Sequence, residues 1–151
     1  MHSLCPVNST SIILYGGYYT EKKQYFFVGD LWIYTINIEP TPTHPNRWGE
    51  NRNTWHKVND TLWGTLPGTV RPKGRRGHVA AYLNHKLYVF GGMVFDGLER
   101  YDLSGREYRS RNRLKNDMFE WHSVENQWRL INPVSLDGIP GPRYMLSLIH
   151  I

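Results

Sequence analysis

A single cysteine, Cys5, stands among the 151 residues, which excludes an internal disulfide framework and favours a reducing, cytoplasmic compartment. Two sequons, Asn8-Ser9-Thr10 and Asn59-Asp60-Thr61, point the other way. Such short patterns arise easily by chance, and polar residues are common at hairpin tips such as the one expected near Asn8. No secretory leader and no run of about 18 to 20 apolar residues is visible. Because the chain is expected to begin inside a longer protein, localisation stays open. Catalytic signatures are equally scarce: there is no phosphate-cradling glycine loop, no paired-cysteine zinc spacing and no His-Glu-x-x-His. The histidines at 2, 44, 56, 78, 85, 122 and 150 never fall into a spacing that would set ligands on one face.

The sequence does contain a pattern stated twice. Ser11-Ile12-Ile13-Leu14-Tyr15-Gly16-Gly17 is followed by Asp30-Leu31-Trp32 and Trp55. Lys86-Leu87-Tyr88-Val89-Phe90-Gly91-Gly92 is followed by Asp117-Met118-Phe119 and Trp128. The apolar runs have strand length and the continuity of strands covered on both faces. Glycine at their ends supplies the positive φ of a sharp turn. Asp30 and Asp117 are placed to bond backbone amides at the turn into a third strand, and Trp55 and Trp128 to pack a fourth strand on a neighbouring unit. From His2 to Gly16 is 14 residues and from His78 to Gly91 is 13, so one extra hairpin residue explains the difference, with Asn84-His85 as the expected tip. A third copy opens at Pro140-Gly141-Pro142-Arg143-Tyr144-Met145, echoing Arg75-Arg76-Gly77-His78.

These ordered sets resemble the kelch repeat, each copy of which is one four-stranded blade of a β-propeller. The resemblance implies an all-β chain holding two antiparallel blades and the start of a third, an incomplete propeller. The first blade is expected over residues 1–62, an inter-blade loop over 63–77, the second blade over 78–132 and the third repeat over 140–151. Arg75, Gly77, His78 and Arg143 are then architectural. Propellers close with four to eight blades, so a fragment of a longer protein is expected. Leu146 replaces the histidine of the motif, and the wording of residues 146–151 resembles foreign read-through sequence.

The departures from a repeat of about 50 residues lie in long connections. One insert spans about 38–53, rich in proline and asparagine, and a second, basic one spans about 93–116 in the second blade. Reversal of successive strands puts the connections 59–77 and 93–116 on one face of the propeller and the insert 38–53 on the other. Arg71, Lys73 and Arg76 in one connection and Arg109, Arg111, Arg113 and Lys115 in the other make this face a candidate contact surface. An extended segment would point the last four the same way. Arg47 belongs to the opposite face. The net charge is only +5, and Asp96, Glu99, Asp102 and Glu107 interleave with the arginines, so a solvated polar loop is the competing account.

The resemblance implies a non-enzymatic scaffold that holds a protein partner, acidic or phosphorylated, through its inter-strand loops, with no cofactor or metal. The alternative is a carbohydrate- or small-molecule-modifying propeller enzyme resembling galactose oxidase. Cys5 and the ten tyrosines permit that copper chemistry, although a small apolar residue is routine on a first strand. A ligase-recruiting or cytoskeletal role would be written in flanking sequence. Nucleic acid is not expected, because the spacing of the aromatics assigns them to blade packing.

Overall fold

A computed structural model describes residues 2–21, 24–36, 53–58, 70–100, 108–132 and 138–146, with 24, 98–100 and 108–110 in backbone only. The described residues are all-β, in antiparallel sheets, as expected from the resemblance. Strands β1 (Ser3–Asn8), β2 (Ser11–Glu21), β3 (Gln24–Thr35) and β4 (Thr54–Lys57) form the first blade in sequential order. The second blade is built from β6 (Val79–Leu83), β7 (Lys86–Phe90), β10 (Met118–His122) and β11 (Gln127–Ile131). Asn84 and His85 both take positive φ between Leu83 and Lys86, the backbone of a two-residue hairpin whose twist matches its strands.

Residues 93–116, expected as an inserted loop, instead hold two strands. β8 (Met93–Arg100) and β9 (Tyr108–Leu114) pair antiparallel, and β5 (Arg75–Arg76) adds to the edge of β8 to make a third sheet. The arginines at alternate positions, read as loop charge, sit on a strand with a two-residue period. In the first blade the same connection is a continuation of the blade. β2 and β3 run on past Gly16 and Gly17 through a bulge and stay paired to Glu21 and Gln24. Each blade therefore raises a hairpin beyond its glycine pair.

One apolar cluster joins the two blades. Cys5, Ile13, Tyr15 and Leu31 of the first meet Ala80, Leu87, Val89, Phe119, Trp121 and Trp128 of the second. Each large apolar side chain removed from water here contributes about 1.5 to 3 kcal/mol. The Cys5 thiol donates to the Ala80 carbonyl at 3.1 Å and the Ser3 hydroxyl to that of His78 at 3.3 Å, tying the two first strands together. Counting from the glycine pairs, Leu87, Val89, Trp121 and Trp128 correspond to Ile12, Leu14, Tyr34 and Trp55. The second-blade set is buried, whereas Trp55 rests on Tyr34 at 5.1 Å and is 45% exposed. The burial expected of both tryptophans thus holds for Trp128, which packs on Tyr15 at 5.2 Å, and not for Trp55.

The third opening segment docks on the second blade as its predecessor docks on the first. A Cβ at Gly16, whose φ is +66°, would meet the Arg75 carbonyl and the His78 ring. One at Gly91, φ +68°, would meet the Arg143 carbonyl and the Leu146 side chain. Arg75 Nε donates to the Lys73 carbonyl and Arg143 Nε to that of Gly141, the same two-residue reach. Leu146 thus occupies the position of His78.

Candidate interaction site

The two raised hairpins stand on either side of β5, and between them lies a cleft of about 280 Å³ lined by Tyr25, Phe27, Arg76, Phe95 and Asn112. Three separate chain segments build it. On the first hairpin Tyr18 opposes Phe27 and Thr20 opposes Tyr25, so alternation puts Tyr18, Tyr25 and Phe27 on one face and Tyr19 and Phe26 on the other. On the second, Phe95 opposes Asn112 and Met93 opposes Arg76. The approach of the two walls depends on Gly74, where a Cβ would run into the Phe27 carbonyl.

Arg76 is the centre of this cleft. Its guanidinium lies 5.1 Å from the Tyr18 ring centroid, 5.2 Å from Phe27 and 5.9 Å from Tyr25. Such contacts contribute about 0.5 to 2 kcal/mol each, according to how dry they are. Its Nη2 lies 3.6 Å from the Met93 sulfur. Among the described residues no carboxylate meets it.

The neighbouring arginine behaves oppositely. Arg75 points to the other side of β5, is 1% exposed, and donates to Asp117 at 2.6 Å and to the Gly91 carbonyl at 2.9 Å. Asp117 was expected to bond backbone amides; its carboxylate instead takes Arg75. Asp30, at the matching place in the first blade, accepts from the Trp32 indole at 2.8 Å.

The other basic residues expected at a contact surface are scattered around the cleft. Arg71 donates to the Gly29 carbonyl at 2.7 Å. Lys73 and Arg113 both bind Asp96, at 3.4 and 2.8 Å. Arg111 is exposed on β9 and, like Arg113, lies on the face opposite Asn112, while Lys115 follows the strand and is half-buried. Arg109 is placed in backbone only, and Arg47 and most of the insert 38–53 lie outside the described residues. Among the described side chains of this set, Arg76 alone lines the cleft. The aromatic lining went unread as a site because Tyr25 and Phe27 stand some fifty residues before Arg76; the signal was their alternation on a strand.

Residues 74–135, from the floor of the cleft through the second blade, match the family model of the Kelch motif. The second blade is a kelch repeat. No curated protein matches the chain. The Cys5 thiol of the copper-enzyme alternative is buried at the contact with this kelch blade, and burial pushes it up to about 11, which keeps it protonated. Among the described residues no three His, Cys, Asp or Glu side chains are grouped to hold a metal ion, and no helix is long and apolar enough to cross a membrane.

Proposed function

We propose that the chain is part of a kelch-repeat scaffold that holds partner proteins, without catalysis, on the face from which the two hairpins rise. The cleft around Arg76 carries this reading. Arginine and exposed aromatics are the residues that dominate binding energy at protein interfaces, and here they converge from both blades. Tyr19 and Phe26, stacked at 5.1 Å and half-exposed on the outer face of the first hairpin, extend the aromatic surface. A partner bridging the hairpins would contact both blades at once.

The test is photo-crosslinking in cells from a reactive side chain placed at Tyr25, Phe95 or Val124. The last is an exposed residue of the β10–β11 turn and serves as the control. The same protein adducts are expected from 25 and 95, absent from 124 and lost with Arg76→Glu. Equal capture at all three positions would place the contact surface elsewhere.

A further inference from the structure

We infer that the Arg76 cleft reads a peptide in which a carboxylate side chain stands next to an apolar one, an inference that rests on the scaffold reading above. The charge arrangement is the starting point. Arg75 is matched by Asp117, and Lys73 and Arg113 share Asp96. Arg76 alone of these four meets no carboxylate among the described residues, although it is half-buried among three rings.

Three rings pack around the guanidinium carbon and its Nη2 meets the Met93 sulfur at 3.6 Å, so the edge that can be read is the one carrying the remaining N–H donors, for which no partner is found among the described residues. That edge is a rigid fork of N–H donors matching the two oxygens of a carboxylate. Because the rings already fix the fork, little side-chain freedom is lost when it is used. A phosphate dianion fits less well, since the two nearby cations that would help balance it are already held on Asp96. Tyr25 and Phe95, 59% and 40% exposed, form open apolar walls beside the fork. The Asn112 amide completes the lining with a donor and an acceptor suited to peptide backbone. At about 280 Å³ the cleft admits one or two side chains, which limits the readout to a short segment.

The experiment is selection of random displayed heptapeptides on the 151-residue chain, with counter-selection on Arg76→Ala. Aspartate or glutamate next to leucine, isoleucine, methionine or phenylalanine is expected to be enriched. For a recovered peptide, Arg76→Ala and replacement of its acid by the amide should each weaken binding about tenfold, and the two together no more than either alone. Arg76→Lys, which keeps the charge and loses the fork, should fall between. Should Arg76→Ala lose its near-ultraviolet dichroism, Phe95→Ala and Asn112→Ala paired with the amide peptide carry the same comparison.

Enriched peptides without an acid, additive losses, or tighter binding of a phosphoserine version would overturn the inference. So would the absence of any enrichment. Peptides that ignore Arg76 but are lost with Tyr19→Ala or Arg111→Ala would overturn it and leave the scaffold reading standing. That reading is decided separately by the adducts at 25 and 95.

Discussion

Arg75 and Asp117, forty-two positions apart, hold each other at 2.6 Å where the second blade meets its opening segment. Arg75 also rests over the Phe119 ring at 5.2 Å, so its charge is enclosed on several sides. Removing one partner of such a pair leaves the other charge buried without compensation. Asp117→Ala is expected to cost about 3 kcal/mol, and Asp117→Asn somewhat less. Denaturant unfolding of the two variants checks this, and a change under about 0.5 kcal/mol would mean that water already screens the pair.

His78 links the blades through an edge-on contact with the Tyr15 ring, with centroids 5.2 Å apart. Burial, aided by the nearby Arg75 charge, lowers its pKa to about 4. The unfolded chain takes up that proton near 6.5 while the folded chain does not, so stability is full above 6.5 and is lost as pH falls toward 4. The loss is on the order of 3 kcal/mol. His78→Leu, which installs the residue that Leu146 supplies at the equivalent place, should flatten this part of the curve. Unfolding free energies at pH 7.5, 6, 5 and 4.5 for both proteins make the comparison; parallel curves would remove His78 as the cause.

The strands themselves are legible in the sequence because continuous apolar runs close on glycine pairs whose positive φ the structure shows. The two-residue tip at Asn84-His85 is legible for the same reason of turn chemistry. What escaped is non-local. The link from Arg75 to Asp117 joins two motif positions that sequence order leaves unconnected, and the rings around Arg76 come from the preceding blade. Residues 93–116 read as loop although the alternation of Arg109, Arg111 and Arg113 is visible, because a two-residue period of charged side chains fits a solvated extended loop as well as a strand. A basic composition likewise says nothing of how Asp96 binds both Lys73 and Arg113.

Trp128 and Trp55 occupy matching positions and differ in what covers them. Trp128 is 1% exposed against Tyr15, whereas Trp55 packs on Tyr34 and stays 45% exposed. Trp128→Ala is expected to cost about 3 to 5 kcal/mol, and Trp55→Ala about 1 kcal/mol, in line with partial burial. Chemical denaturation of the single variants measures the contrast. Equal costs would show that a neighbour covers Trp55 in solution as Trp128 is covered here.

Asp96 sets how much positive charge the hairpin face presents. Its carboxylate is shared by Lys73 and Arg113, both of which remain substantially exposed. Exposed ion pairs of this kind contribute about 0 to 1 kcal/mol, so Asp96→Asn should leave the unfolding midpoint nearly unchanged. Its electrostatic effect should be larger than its structural one, because two cations lose their counter-charge together. The variant is expected to elute from a sulfated resin at higher salt than the parent. Its capture of an acidic peptide should quicken at low ionic strength, a difference that fades as the screening length falls to about 3 Å near 1 M salt. Unchanged elution would mean that Lys73 and Arg113 already face the solvent field unpaired, and the charge asymmetry that singles out Arg76 would lose its basis.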